Sequence, residues 1–133
     1  MTTPLPIELT ILALSVLLLF VHISLQGMLA TRERGSAWNA GPRDGEMPPL
    51  KPLAARAERA LANFRETYPA FVAAVLVVVV SGRTGGWSEA GVWLWLLARL
   101  AYIPLYLAGI PYIRSLAWIA SAIGIVLVLS QLL

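Results

Sequence analysis

Cysteine is absent from the chain, and histidine occurs once, as His22. The first absence excludes disulfides, thiolate chemistry by the protein's own side chains, and Cys-type zinc or iron–sulfur sites. The second excludes a multi-histidine metal centre, so no metal ligand is assigned. Charge is scarce as well. Asp, Glu, Lys and Arg make up 13% of the 133 residues and hydrophobic residues 59%, against roughly 25% charged in an average globular protein. With a mean hydropathy of +0.76, such a chain cannot cover itself with polar groups in water. Disorder is ruled out, a soluble enzyme is disfavoured, and lipid is the expected solvent. No nucleophile elbow and no phosphate-cradling glycine loop is present. A net charge of +3 raises the question of nucleic acid, but no aromatic-interleaved basic fold accompanies it, and no nucleic-acid partner is expected.

What is present is a series of apolar runs. Between Glu8 and Arg32 the only ionisable residue is His22. That is length enough for a helix crossing a hydrocarbon core of ~30 Å. The opening MTTPLPIE has no basic n-region and the run is long for a cleaved signal, so it reads as a retained first span. Residues 32–53 are rich in Gly, Pro and charge and read as a polar loop. From Arg56 a helical pattern enters a second apolar run, with Pro69 inside it. The run of valines at 77–80 would suit a strand in water, but an isolated strand in lipid leaves its backbone unpaired. A third segment carries Arg99, and a fourth, after Arg114, carries no charge. The expected architecture is all-α: one domain over 1–133, a four-helix transmembrane bundle with helices at about 7–31, 54–82, 88–108 and 112–132. Seven of the ten basic residues lie within 31–66, which predicts a cytoplasmic loop at 32–53 with both termini on the opposite side.

Polar residues within the spans are the informative ones, because each is costly in lipid unless it is paired or faces a wet cavity. Glu8, Ser15, His22 and Gln26 share one face of the first helix. They either hydrogen-bond to neighbouring helices or make His22 part of a ligand or proton site. Arg56, Arg59, Asn63 and Glu66 form a stripe on the second helix, continued by Ala70 and Ala73. The stripe is either an interfacial ion-pair network or a site offering a guanidinium, an amide and a carboxylate to a zwitterionic ligand. Arg99, Tyr102 and Tyr106 share a face of the third helix. An arginine at that depth stays charged, so a pair of Glu66 with Arg99 or Arg59 inside the bundle is expected. Arg114 reads either as a positive-inside anchor or as part of a site.

The segment RAERALANFRETYPAF, with Arg59, Asn63, Glu66 and Pro69 at successive spacings of 4, 3 and 3, resembles the signature of the MAPEG superfamily, membrane-associated proteins of eicosanoid and glutathione metabolism. The resemblance extends to Arg99, Tyr102 and Tyr106, to the turn containing Pro111, Arg114 and Ser115, and to the long polar loop, which resembles that of bacterial members. It implies a homotrimer of four-helix subunits in the bacterial inner membrane, with glutathione bound between neighbours. By position the resemblance assigns Arg32, Arg59, Asn63, Glu66, Arg99, Tyr102 and Tyr106 to glutathione binding, and Arg114 to catalysis by stabilising the thiolate. The implied activity is a glutathione-dependent transferase or peroxidase acting on a lipophilic small molecule from the bilayer. The alternative is a non-catalytic binding or scaffold protein of the same fold, in which the stripe only holds the trimer.

Overall fold

The computed structural model describes residues 3–133, so the first two residues of the expected domain lie outside the described residues. Five helices follow in order: α1 (Ile7–Arg34), α2 (Ser36–Ala40), α3 (Pro52–Val80), α4 (Gly86–Leu107) and α5 (Ile113–Ser130). No strand occurs among the described residues. All but α2 are long and apolar enough to cross a membrane. The first helix runs three residues beyond the expected 31 and ends where Gly35 takes φ +89°. The stretch expected as plain loop contains the short helix α2. Its Trp38 ring lies between 4.7 and 4.9 Å from the guanidinium carbons of Arg43 and Arg34, and those cation–π contacts give the segment a local anchor. Helix α3 opens on Pro52, where the missing N–H is no loss. It continues through Pro69 as one helix.

The long helices alternate in direction. At one end, Ser88 at the start of α4 accepts the Gly85 N–H at 2.9 Å and donates to the Glu8 carboxylate of α1 at 2.6 Å. Gln131, just after α5, accepts the Trp87 N–H at 2.9 Å. Glu8 is buried, and its pairing satisfies an acid that would otherwise be expensive in an apolar bundle. At the other end Arg56 of α3 donates to the Leu107 carbonyl at 3.2 Å, which meets an orphan carbonyl at the end of α4 with a cation.

The core lies where α1, α3 and α4 meet. Phe64, Phe71, Val75 and Val78 of α3 fall on one helical stripe and are buried, as are Val92 and Trp95 of α4. The Phe71 and Trp95 rings stack at 3.7 Å between centroids. The polar stripe of α1 faces these helices: Ser15 and Tyr68 share a hydrogen bond at 2.8 Å, and the His22 ring packs 4.8 Å from that of Phe64.

Helices α4 and α5 share the most extensive contact of any helix pair among the described residues. The cause is two facing glycines. A Cβ on Gly91 would stand 2.5 Å from the Gly124 carbonyl oxygen, and one on Gly124 would stand 2.6 Å from the Gly91 carbonyl oxygen. Small residues permit such backbone approach, and dispersion along the seam then favours association where lipid supplies no hydrophobic drive. Gly91→Ala is therefore expected to lower stability by about 1–3 kcal/mol, seen as a lower thermal unfolding midpoint in detergent. Gly86→Ala, at a position with nothing within 4 Å, is expected to leave the midpoint unchanged.

Candidate functional site

The α3–α4 contact next to the loop end is organised by one cation. Arg99 is fully buried on α4. Its Nη1 donates to the Asn63 side-chain oxygen of α3 at 3.0 Å. Its guanidinium carbon lies 4.4 Å from the centre of the Tyr102 ring and 5.2 Å from that of Phe64. The aromatic faces supply some of the negative potential that water would otherwise give. Among the described residues, Nε and Nη2 of Arg99 have no hydrogen-bond partner, and neither has Nε2 of buried His22.

The expected pairing of Glu66 with Arg99 or Arg59 does not form within the chain. Arg99 is met by Asn63, Arg59 donates from Nε to the Tyr106 hydroxyl at 3.2 Å, and Glu66 is exposed. The reason is rotational. Phe64 points into the core, and Glu66, two residues on, lies about 200° around the helix from it. The shorter Asn63 side chain, on the α4 side, reaches the guanidinium instead.

Beside this network lies a cavity of about 370 Å³ walled by Asn63, Tyr102, Tyr106, Arg114, Ser115, Trp118 and Ile119. Its size falls in the range of small-molecule sites. The Arg114 guanidinium carbon sits 4.7 Å from the centre of the Tyr106 ring, and Tyr102 and Tyr106 are 5.4 Å apart, centroid to centroid. Three helices thus contribute: α3 an amide, α4 two phenols, α5 a guanidinium and a hydroxyl. The return from α4 to α5 is tight. Gly109 takes φ +70° and Tyr112 φ +61° with ψ −56°. Ile113 donates to the Pro111 carbonyl at 2.6 Å. This is a γ-turn of the strained hand, a conformation that costs of order 1–3 kcal/mol outside glycine. It starts α5 so that Arg114 falls in the first turn, at the cavity.

Of the site residues expected from the sequence, Asn63, Tyr102, Tyr106 and Arg114 line this cavity. Arg59 and Arg99 join it through one hydrogen bond each, to Tyr106 and Asn63. Glu66 is exposed on α3, and Arg32 lines a different hollow beneath the loop. Arg56 serves α4 as a C-terminal cap. Ser115, Trp118 and Ile119 are wall residues to which the sequence reading gives no site role. Helical spacing carries the signal for them: on a helix beginning near Arg114, positions 115, 118 and 119 fall beside it.

Asn63→Leu, which removes the side-chain acceptor of a buried guanidinium, is expected to lower stability by about 1–3 kcal/mol. Asn63→Asp, which keeps an acceptor and adds the opposite charge, is expected to retain or raise it. Thermal unfolding of the two variants in one detergent checks both. A Leu variant as stable as the parent would remove Arg99–Asn63 from the packing account.

In comparison with known proteins, the model of the MAPEG family matches residues 11–133. No curated protein and no solved structure matches the chain.

Proposed function

Because the chain belongs to the MAPEG family and has four helices fit to cross a membrane, we propose that this membrane protein binds glutathione where protomers of a homotrimer meet. In this reading it is a glutathione-dependent transferase or peroxidase acting on hydrophobic electrophiles. The observation that carries the proposal is the convergence of Asn63, Tyr102, Tyr106 and Arg114, from three helices, on one cavity of about 370 Å³.

The residues present fit the ligand's chemistry. Glutathione carries carboxylates, amides, an ammonium group and a thiol. Arg59 and Glu66 are exposed on α3, Arg59 against the wall residue Tyr106, and they offer complementary charges to the carboxylate and ammonium groups. Asn63 and the two tyrosines offer hydrogen bonds to amides. Charged side chains exposed on a membrane helix call for a cover. Ala70 and Ala73, along the same stripe of α3, leave room for a neighbouring helix. A second protomer packed there completes the site.

Glutathione supplies the thiol. With an ordinary pKa of ~8.5 the thiol is mostly protonated at neutral pH, and a neighbouring guanidinium favours the anion. Arg114 is the cation placed to do this: it cannot give up its proton, and its guanidinium lies at the cavity wall above Tyr106. Trp118 and Ile119 on the same wall provide apolar contact for a lipophilic partner arriving from the bilayer. In the proposed orientation the chain sits in a bacterial inner membrane, with the connection between α1 and α3 in the cytoplasm. The start of α1 and the end of α5 then lie on the opposite side.

Purified protein is expected to run as a trimer in detergent by light scattering. It should also gain about 2.7 kcal/mol of stability when glutathione reaches a hundred times Kd. Arg114→Ala should retain most of that stabilisation but lose the thiolate absorbance of bound glutathione and slow conjugation of a model electrophile, a loss in kcat more than in KM. No stabilisation at any glutathione concentration would leave the scaffold reading in its place.

A further inference from the structure

The last carbonyls of α4 are met in a way the sequence dictates. Those of Pro104, Leu105 and Tyr106 accept the N–H groups of Ala108, Ile110 and Gly109 at 3.0, 3.1 and 2.9 Å. In a continuing helix the Leu107 carbonyl would take its hydrogen bond from residue 111, but that is Pro111, which has no N–H. Arg56 of α3 supplies the bond instead, donating from Nη1 at 3.2 Å.

The same guanidinium is seated on Gly109. A Cβ at that position would stand 2.8, 2.9 and 3.1 Å from Cζ, Nη2 and Nη1 of Arg56. Three nearly equal distances put the planar group face-on over the glycine. Gly109 therefore meets two needs at once, its φ of +70° and the seat for a side chain from another helix. A guanidinium can cover a glycine with its face while donating along its edge, which a lysine ammonium cannot do.

What this contact holds is the approach to Arg114. From Gly109 the chain reaches Arg114 in five residues, through the strained Tyr112. Ile110, Pro111, Tyr112 and Ile113 are exposed along the chain, so burial does little to keep the return in place. Arg56 ties it to α3. Asn63, seven residues further along α3, lies on the same helical face and belongs to the cavity wall. One helix thus bears on both sides of the cavity: directly through Asn63, and through the return that leads to Arg114.

We propose that Arg56 is a positioning residue, which by clamping the α4–α5 return at Leu107 and Gly109 sets where Arg114 stands at the cavity wall. This role rests on the reading of Arg114 as the cation that stabilises the glutathione thiolate. Arg56 is not itself a wall residue, so it acts on the reaction through the return.

Two measurements on the full-length protein in detergent test it. The first needs no ligand. Hydrogen exchange in Arg56→Gln is expected to quicken across residues 109–116, which include the bonded N–H groups of Gly109, Ile110 and Ile113, and to stay as in the parent across α3 and the middle of α4. The second is conjugation of a model electrophile as a function of pH. Displacing the cation from the thiolate is expected to lower kcat at neutral pH by about 10- to 100-fold, with KM for glutathione little changed. The rising limb of the pH–rate profile should move up toward the ordinary thiol range of ~8.5, so that the deficit shrinks in alkali. A purely structural loss would scale the profile down without moving it. Arg56→Lys, which restores a donor and a charge without the plane, should recover part of the rate. Gly109→Asn suits the positive φ, but its Cβ takes the guanidinium's seat. It should reproduce the shifted profile, and combining it with Arg56→Gln should add nothing. Unchanged exchange at 109–116 in Arg56→Gln would overturn the clamp, whatever the parent does with glutathione. Quickened exchange with kcat and pH profile unmoved would overturn the positioning of Arg114. A parent that neither binds nor conjugates glutathione would instead overturn the thiolate reading, and with it any part for Arg56 in the reaction.

Discussion

A fully buried guanidinium is the constraint on which the arrangement of this bundle turns. Arg99 stays charged at any ordinary pH and is wholly enclosed. In a helix surrounded by lipid, such a group is tolerable only if the protein supplies the polarity that was removed. Here one amide, two aromatic faces and the neighbouring His22 side of α1 make up the surroundings. That requirement fixes more than one side chain. It sets the rotation of α3, which must present Asn63 to α4. With Asn63 fixed, Phe64 enters the core and Arg59 and Glu66 turn outward.

The second constraint is steric, and it delivers the remaining half of the cavity. The α4–α5 hairpin closes because Gly91 and Gly124 let two backbones meet. A close hairpin needs a short return, and the chain makes it through Gly109 and the γ-turn at Tyr112. The turn starts α5 abruptly, which puts Arg114 over Tyr106 instead of out at the bundle edge. The strained residue Tyr112 thus stands two positions before the cation at the cavity wall, on the return of a hairpin that the two glycines allow to close. Packing deep in the bundle and the position of a charge at its end are therefore parts of one arrangement.

The four spans are legible in the sequence because charge is excluded from them so strictly. Asn63, Tyr102, Tyr106 and Arg114 are legible because a polar residue at helical spacing in or beside an apolar segment is tolerated only where it is paired or hydrated. The partner of Arg99 is not legible from charge alone. Glu66 is the acid at the right depth, but the rotation of α3 that presents Asn63 to Arg99 turns it outward and gives the contact to an amide. The short helix at 36–40 is hidden for a different reason. It is stabilised by two arginines around Trp38, a tertiary arrangement with no periodic signature. Trp118 and Ile119 carry no polar mark of the face they serve, and only their spacing from Arg114 along α5 points to the cavity.

The outward turn of Arg59 and Glu66 is what the single chain does not account for by itself. Arg59 keeps one hydrogen bond, to Tyr106, and Glu66 is exposed. Both stand on a helix whose other half is fit for lipid. A charge pair seven residues apart on one face, followed by Ala70 and Ala73, combines a polar patch near the helix start with a smooth one deeper in. Lipid would favour the smooth part alone, and water the polar part alone. The proposed neighbouring subunit, with a polar ligand between the two, would satisfy both at once: the alanines would admit its backbone, and the charges would meet a ligand carrying both signs. The proposal of an intersubunit site therefore rests on where the polar and small residues are left uncovered, and it ties together the buried Arg99, the rotation of α3 that it imposes, and the face that this rotation leaves open.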